Sequence, residues 1–197
     1  MAGLGDRAAG VPDLARAVVL VEGASDAAAL EALAHRRGRA LADEGVAVVP
    51  MGGATNIGHY LALLGPRGRG VRLAGLCDAG EEGFFRRGLE RAGLGADLSR
   101  EAMEALGFYV CDADLEEELI RCLGVSAVEG VVAAAGDLGS LRILQRQPAQ
   151  QGRTAEEQLH RFMGTRSGRK SHYARLLVDA LDLARVPRPL DAVLTHV

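Results

Sequence analysis

The chain has 197 residues, 48% of them apolar and 25% charged, with a formal net charge of −3. That composition suffices for one domain with its own core, and no apolar run reaches the roughly 18 residues a membrane span needs. The three cysteines, Cys77, Cys111 and Cys122, are odd in number and lack CxxC spacing, which argues against a disulfide framework or a zinc site. The first residues, MAGLGDRAAGVPDLARA, show no basic start followed by an apolar stretch, so no signal peptide is read and a cytoplasmic location is expected.

Four apolar runs alternate with helical patterns. Strands are predicted near 17–22, 46–50, 71–77 and 107–111, each followed by helical spacing: 25–36, 57–64, 81–92 and 114–123. The runs are continuous and do not alternate in polarity, which predicts strands covered on both faces. Strand–helix alternation predicts a mainly parallel four-stranded α/β sheet, Rossmann-like, with helices on both sides. Beyond residue 125 the periodicity is helical, interrupted at Gln147-Pro-Ala-Gln-Gln-Gly152. The expected division is a leader over 1–16, an α/β core over 17–125 and a mostly helical C-terminal extension over 126–197, packed on the core.

Charge is unevenly placed. Residues 78–118 hold twelve acids against four arginines, whereas 142–175 hold seven arginines and Lys170 against Glu156 and Glu157. Solvated helix faces explain much of this. The pattern also suits an acidic metal site beside a polyanion-binding surface, for which Arg142, Arg146, Arg161, Arg166 and Arg169 are candidates. Lys170 is the single lysine among 23 basic residues. Such a position suggests a need for an ammonium and not a guanidinium.

Three acids, Glu22, Asp78 and Asp112, end predicted strands, and ligands of open α/β sheets bind outside those ends. In Val19-Leu-Val-Glu-Gly-Ala-Ser-Asp26, Gly23 permits a tight turn, Ser25 is a candidate helix cap, and Asp26 falls in the first helical turn. A bland reading has Asp26 merely complementing the helix dipole. In Leu76-Cys-Asp-Ala-Gly-Glu-Glu82, Asp78 needs a partner or a metal, and Glu81 is within reach. In Cys111-Asp-Ala-Asp-Leu-Glu-Glu-Glu118, Asp112 and Asp114 should face one side if the chain is extended. Asp114 with Glu117 also fits a capping box, and Glu116 remains a candidate ligand. Such oxygen donors suit Mg²⁺ or Mn²⁺, one ion or two. The turn Pro50-Met-Gly-Gly-Ala-Thr-Asn56 lacks the spacing and lysine of a nucleotide-binding loop and reads best as a plain strand–helix turn.

Taken together, Val21-Glu-Gly-Ala-Ser-Asp26, the aspartate-centred turn at Asp78, Val49-Pro-Met-Gly-Gly-Ala-Thr-Asn-Ile57, Asp114-Leu-Glu-Glu-Glu-Leu-Ile120 and Gly168-Arg-Lys-Ser-His-Tyr-Ala174 resemble the TOPRIM domain of the OLD (overcoming lysogenization defect) nucleases, over roughly residues 17–180. The resemblance implies a metal-dependent nuclease acting on DNA. Glu22, Asp26, Asp78, Asp112, Asp114 and Glu116 would hold metal, Glu81 standing in where the family's Asp-x-Asp reads Asp78-Ala-Gly80. Lys170 would be the late basic catalytic residue, acting with Glu22. The family's ATPase domain has no counterpart in these 197 residues, so a separate ATPase subunit is an implied partner, and a homodimer is compatible. A non-catalytic nucleic-acid adaptor is the competing reading, followed by a receiver-like phosphoacceptor domain; primase-like nucleotidyl transfer stays open.

Overall fold

The first strand explains the architecture. β1 (Ala17–Val21) is buried along its whole length, and its alternating side chains feed two cores: Val19 and Val21 on one face, Val18 and Leu20 on the other. A strand with two apolar faces has to be central. The computed structural model describes residues 11–166 and 168–197, and in it β1 lies between β2 (Val46–Pro50) and β3 (Arg72–Asp78), with β4 (Phe108–Cys111) outermost. The order is β2-β1-β3-β4 and every pair is parallel. The predicted sheet is therefore the observed one. The first ten residues of the predicted leader lie outside the described residues.

One face is covered by α2 (Ile57–Leu64), α3 (Glu82–Arg91) and α4 (Arg100–Ala105). Close packing there depends on Gly75 of β3: a Cβ at this position would sit 2.6 Å from the Phe108 ring. The other face takes α1 (Ala24–Arg36), α5 (Leu115–Leu123) and the C-terminal helices α6 (Val125–Ala134), α7 (Leu138–Gln145), α8 (Ala155–Met163), α9 (Arg169–Ala180) and α10 (Arg188–His196). Apolar residues of 126–197, among them Val128, Leu141, Phe162, Leu177 and Val193, join β1 and α1 in one continuous core. Removing one such side chain, Leu177→Ala for example, would cost about 2–5 kcal/mol.

The placing of α9 matters most for function. It packs along α1, and Arg36 at the end of α1 donates to the carbonyls of Val178 (2.7 Å) and Leu181 (2.6 Å) at the end of α9. Since the two C-terminal ends meet, the helices run side by side in the same direction. Their N-terminal ends, carrying Asp26 and Lys170, therefore come together at the C-terminal edge of the sheet. α9 starts at Arg169, because Gly168 takes up a left-handed conformation (φ 76°) and turns the chain directly into it.

One local expectation changes, and one helix is added. Helix α1 begins at Ala24, so Gly23 and not Ser25 precedes it; Ser25 is buried inside the first turn. Helix α4, in a stretch rich in glycine and polar residues, has only six residues, too few to show a 3.6-residue period. Ser99 caps it by accepting from the Ala102 amide at 3.2 Å.

Candidate metal and phosphodiester site

Glu22 leaves the end of β1 next to Asp78, the last residue of β3, and its Oε1 accepts from the Asp78 amide at 3.1 Å. The glycine turn after β2 fixes the same segment from the other side: Met51 N–H donates to the Val21 carbonyl (2.8 Å) and Gly53 N–H to the Glu22 carbonyl (3.0 Å). Gly53 does this at φ 119°, a conformation that requires glycine. The turn thus supports the Glu22 backbone. Asp26, in the first turn of α1, accepts from the Gly23 amide at 2.8 Å and is 9% exposed.

These carboxylates resist ionisation. Burial raises the Glu22 pKa, offset in part by the Asp78 amide and reinforced by the charges of Asp78 and Glu81. Burial also lifts Asp26 to about 6, with Glu116 and Glu22 adding repulsion. Asp78 is pushed up to about 7 by burial and by the neighbouring charges of Asp26, Asp114 and Glu116. Partly desolvated acids without full neutralisation have the chemistry that suits a cation.

The third part of the cluster comes from α5, α8 and α9. Asp114 caps α5, one oxygen accepting from the Glu117 amide at 2.9 Å and the other meeting His160 Nε2 of α8 at 2.6 Å. Burial would raise the Asp114 pKa, but His160 and the Glu117 amide together hold it below the usual range. The same bond raises that of His160. Glu116 is 1% exposed, and its one ion pair among the described residues is with Lys170, Nζ lying 2.8 Å from Oε2; Oε1 has no partner. Ligand atoms of Asp114, Glu116 and His160 lie within 4.8 Å of one another. An unsatisfied, buried carboxylate oxygen is costly unless something positive arrives. A hard divalent cation fits this donor set of carboxylate oxygens and one imidazole.

Lys170 thus stands in the acidic cluster. Burial lowers its pKa, but the contact with Glu116 and the charges of Asp114 and Asp26 raise it more, keeping the ammonium charged. Its charge also lowers the pKa values of Glu22, Asp26 and Asp78. Glu81, at the end of a 3-10 turn over Ala79–Glu81, is half-buried and close enough to repel Glu22.

Several sequence candidates sit elsewhere. Asp112 does not share a side with Asp114, because strand alternation stops at Cys111 and the chain turns toward the α5 cap. Its carboxylate, 68% exposed, faces Arg100 (3.8 Å) and Arg121 (3.6 Å), while its amide is held by Glu118 Oε1 at 2.9 Å. Arg142 is bound to Glu129 at 2.8 Å. Arg169 is buried over the Phe162 ring, 4.2 Å from its centroid, with Thr165 and Asp137 as partners. Arg146, Arg161 and Arg166 are exposed. His160 was not singled out by sequence reading; a lone histidine on an amphipathic helix gives no local signal of an aspartate 46 residues away.

Residues 14–79 match the family described as Overcoming lysogenization defect protein-like, TOPRIM domain. Among solved structures, the C-terminal region of the Xanthomonas campestris pv. campestris OLD protein is similar at 25% identity with a TM-score of 0.70, over 94% of this chain and 95% of that one. The C-terminal region of the Burkholderia pseudomallei OLD protein aligns over 92% of this chain and 96% of that one, at 22% identity and a TM-score of 0.71. No curated protein matches significantly. Among the described residues no helix is long and apolar enough to cross a membrane. Residues 14–79 thus resemble an OLD-like TOPRIM domain, and the chain over nearly its whole length has the fold of an OLD C-terminal region.

Proposed function

We propose that the chain is a divalent-metal-dependent nuclease that hydrolyses DNA phosphodiesters, acting in the cytoplasm with Mg²⁺ or Mn²⁺. The observation that carries this reading is the meeting of Glu22, Asp26 and Asp78 with buried Glu116 and Lys170 at one sheet edge. Glu22, Asp26, Asp78, Asp114 and Glu116 would hold the cation, with Glu81 at its margin. A bound cation would supply Lewis acidity at a phosphoryl oxygen and help to generate the attacking hydroxide.

The chain's own groups supply the rest. Lys170, a compact charge on a flexible stem, neutralises negative charge developing on the phosphoryl group or the leaving oxygen. Glu116 holds that ammonium in the cluster. His160, whose pKa is raised by its bond to Asp114, would in its protonated form give a proton to a departing oxygen. Exposed Arg146, Arg161 and Arg166 would contact the DNA backbone, and an ATPase would be a working partner.

Asp78-Ala-Gly80 favours a second reading, a nucleic-acid adaptor of low activity, since the Asp-x-Asp of the resemblance has lost its second aspartate. Incubation with supercoiled plasmid and linear DNA in Mg²⁺, Mn²⁺ or EDTA separates the two. Nicked or shortened products with metal and none in EDTA are expected. Intact DNA under all three conditions, with DNA binding retained, would overturn the nuclease and leave the adaptor.

A further inference from the structure

Residues 45–77 contain no aspartate or glutamate, three arginines and His59. The structure turns this acid-free stretch toward a groove of about 460 Å³ between α2 and α3, lined by Thr55, Gly58, His59, Arg67 and Arg91. No carboxylate lines it. Neither Arg67 nor Arg91 is ion-paired among the described residues: Arg67 Nη1 donates to the Arg91 carbonyl at 3.4 Å, and Arg91 Nε to the Arg87 carbonyl at 3.1 Å. Glu90, next to Arg91 in the chain, turns instead to the Leu98 amide at 3.1 Å. His59 Nε2 is buried without a hydrogen-bond partner. Gly58 borders Arg91, since a Cβ there would stand in ordinary contact with Arg91 Nη2 at 3.6 Å.

We infer that this groove binds the phosphodiester backbone of a nucleic-acid strand running to or from the acidic site. The inference rests on the nuclease reading and adds a surface to it. Two guanidiniums without acidic partners in a concave, open groove match bidentate recognition of phosphate oxygens. The groove is also connected to the site through the chain. Thr55 on its rim belongs to the same turn as Gly53, whose amide holds the Glu22 carbonyl. A strand in the groove therefore presses on the loop that supports Glu22. An open groove with two separate cations suits successive phosphates of a polymer better than one free anion.

The test is binding of a fluorescent oligonucleotide, single- and double-stranded, in EDTA over a range of salt, with the parent, Arg67→Gln/Arg91→Gln, and Gly58→Leu. The last fills the groove without changing charge, at a helical position with no left-handed requirement. The double variant should bind about tenfold more weakly, with a salt slope lower by roughly 2, about one unit per lost phosphate contact. Gly58→Leu should weaken binding too, and both variants should keep the parent's stabilisation by Mn²⁺. Unchanged affinity and slope in the double variant, with parent binding intact, would overturn the groove and leave the nuclease reading standing. No binding by the parent would overturn both. Displacement of the oligonucleotide by inorganic phosphate as readily as by competitor DNA would overturn the polymer backbone as the ligand.

Discussion

Asp78→Asn should make the metal-free protein more stable at neutral pH, although it removes a residue of the proposed metal site. The Asp78 carboxyl has a pKa of about 7 in the folded chain, against roughly 3.9 when unfolded. The folded state therefore holds the proton over the window between those values, where the unfolded state has lost it. Stability contributed by this group is greatest at low pH, falls as pH rises from about 4 to 7, and is lost above that. Three units would correspond to about 4 kcal/mol in a dry interior. The side chain is only part-buried, so screening by solvent reduces the figure to roughly 1–2 kcal/mol. Asparagine keeps the shape and has no charge to desolvate, and the amide that holds Glu22 is backbone and stays. In EDTA at pH 8, urea denaturation should show Asp78→Asn more stable by that amount, equivalent to roughly 2–8 °C in Tm. The gap should close near pH 4. Saturating Mn²⁺ should reverse the order, because binding stabilises the parent by RT ln(1 + [L]/Kd) and the variant less. A variant less stable than the parent at pH 8 in EDTA, or a gap that persists at pH 4, would refute the reasoning.

Lys170→Arg should lose most turnover while retaining DNA and Mn²⁺ binding, because a planar guanidinium cannot take the ammonium's place beside Glu116; equal single-turnover rates would remove Lys170 from the chemistry. Glu116→Gln should abolish most of the Mn²⁺-induced rise in Tm, and a full rise would mean that the cation is held elsewhere. His160→Gln should lower the cleavage rate most on the acidic side of the pH profile, where the parent imidazole carries the proton it would donate, with the two profiles converging on the alkaline side; an unchanged profile would make His160 a support for Asp114 only. Arg169→Ala should cost roughly 2–4 kcal/mol through loss of a buried charge network and leave the salt dependence of DNA binding as in the parent. A reduced salt slope would return Arg169 to the DNA surface.

The sheet was legible because its strands are β-branched runs bounded by turns, and Ala17-Val-Val-Leu-Val21 has no polar position at which to be an edge. Glu22, Asp26 and Asp78 were legible for a related reason: each follows an apolar strand at a fixed short distance, so sheet geometry alone brings them to one edge. What sequence could not supply was the pairing of distant elements. That α9 lies on α1 depends on contacts more than 140 residues apart, such as Arg36 to Val178, and with it the approach of Lys170 to Glu116. The neighbours Asp112 and Asp114 differ only in where strand alternation ends, a boundary a sequence locates to within about 2–4 residues. One residue of error there exchanges a cluster member for a surface ion pair.

The charge pattern was a weaker guide for a physical reason. A count over a window adds arginines without asking what each one faces, whereas a phosphate is attracted by charge that the protein has not already neutralised. In 142–175 part of the excess is engaged internally, Arg142 by Glu129 and Arg169 by Asp137. Between Gly45 and Cys77 there are fewer arginines, but the nearest acids in the chain, Glu44 and Asp78, face other ways: Glu44 is clamped by Arg39 at 2.6 Å, and Asp78 belongs to the cluster. Arg67, from this run, and Arg91, whose neighbour Glu90 is held by the Leu98 amide, are left without carboxylate partners in the groove. An acid-free run of this length is visible in the sequence, and it becomes informative only once the fold shows that no acid from another element returns to it.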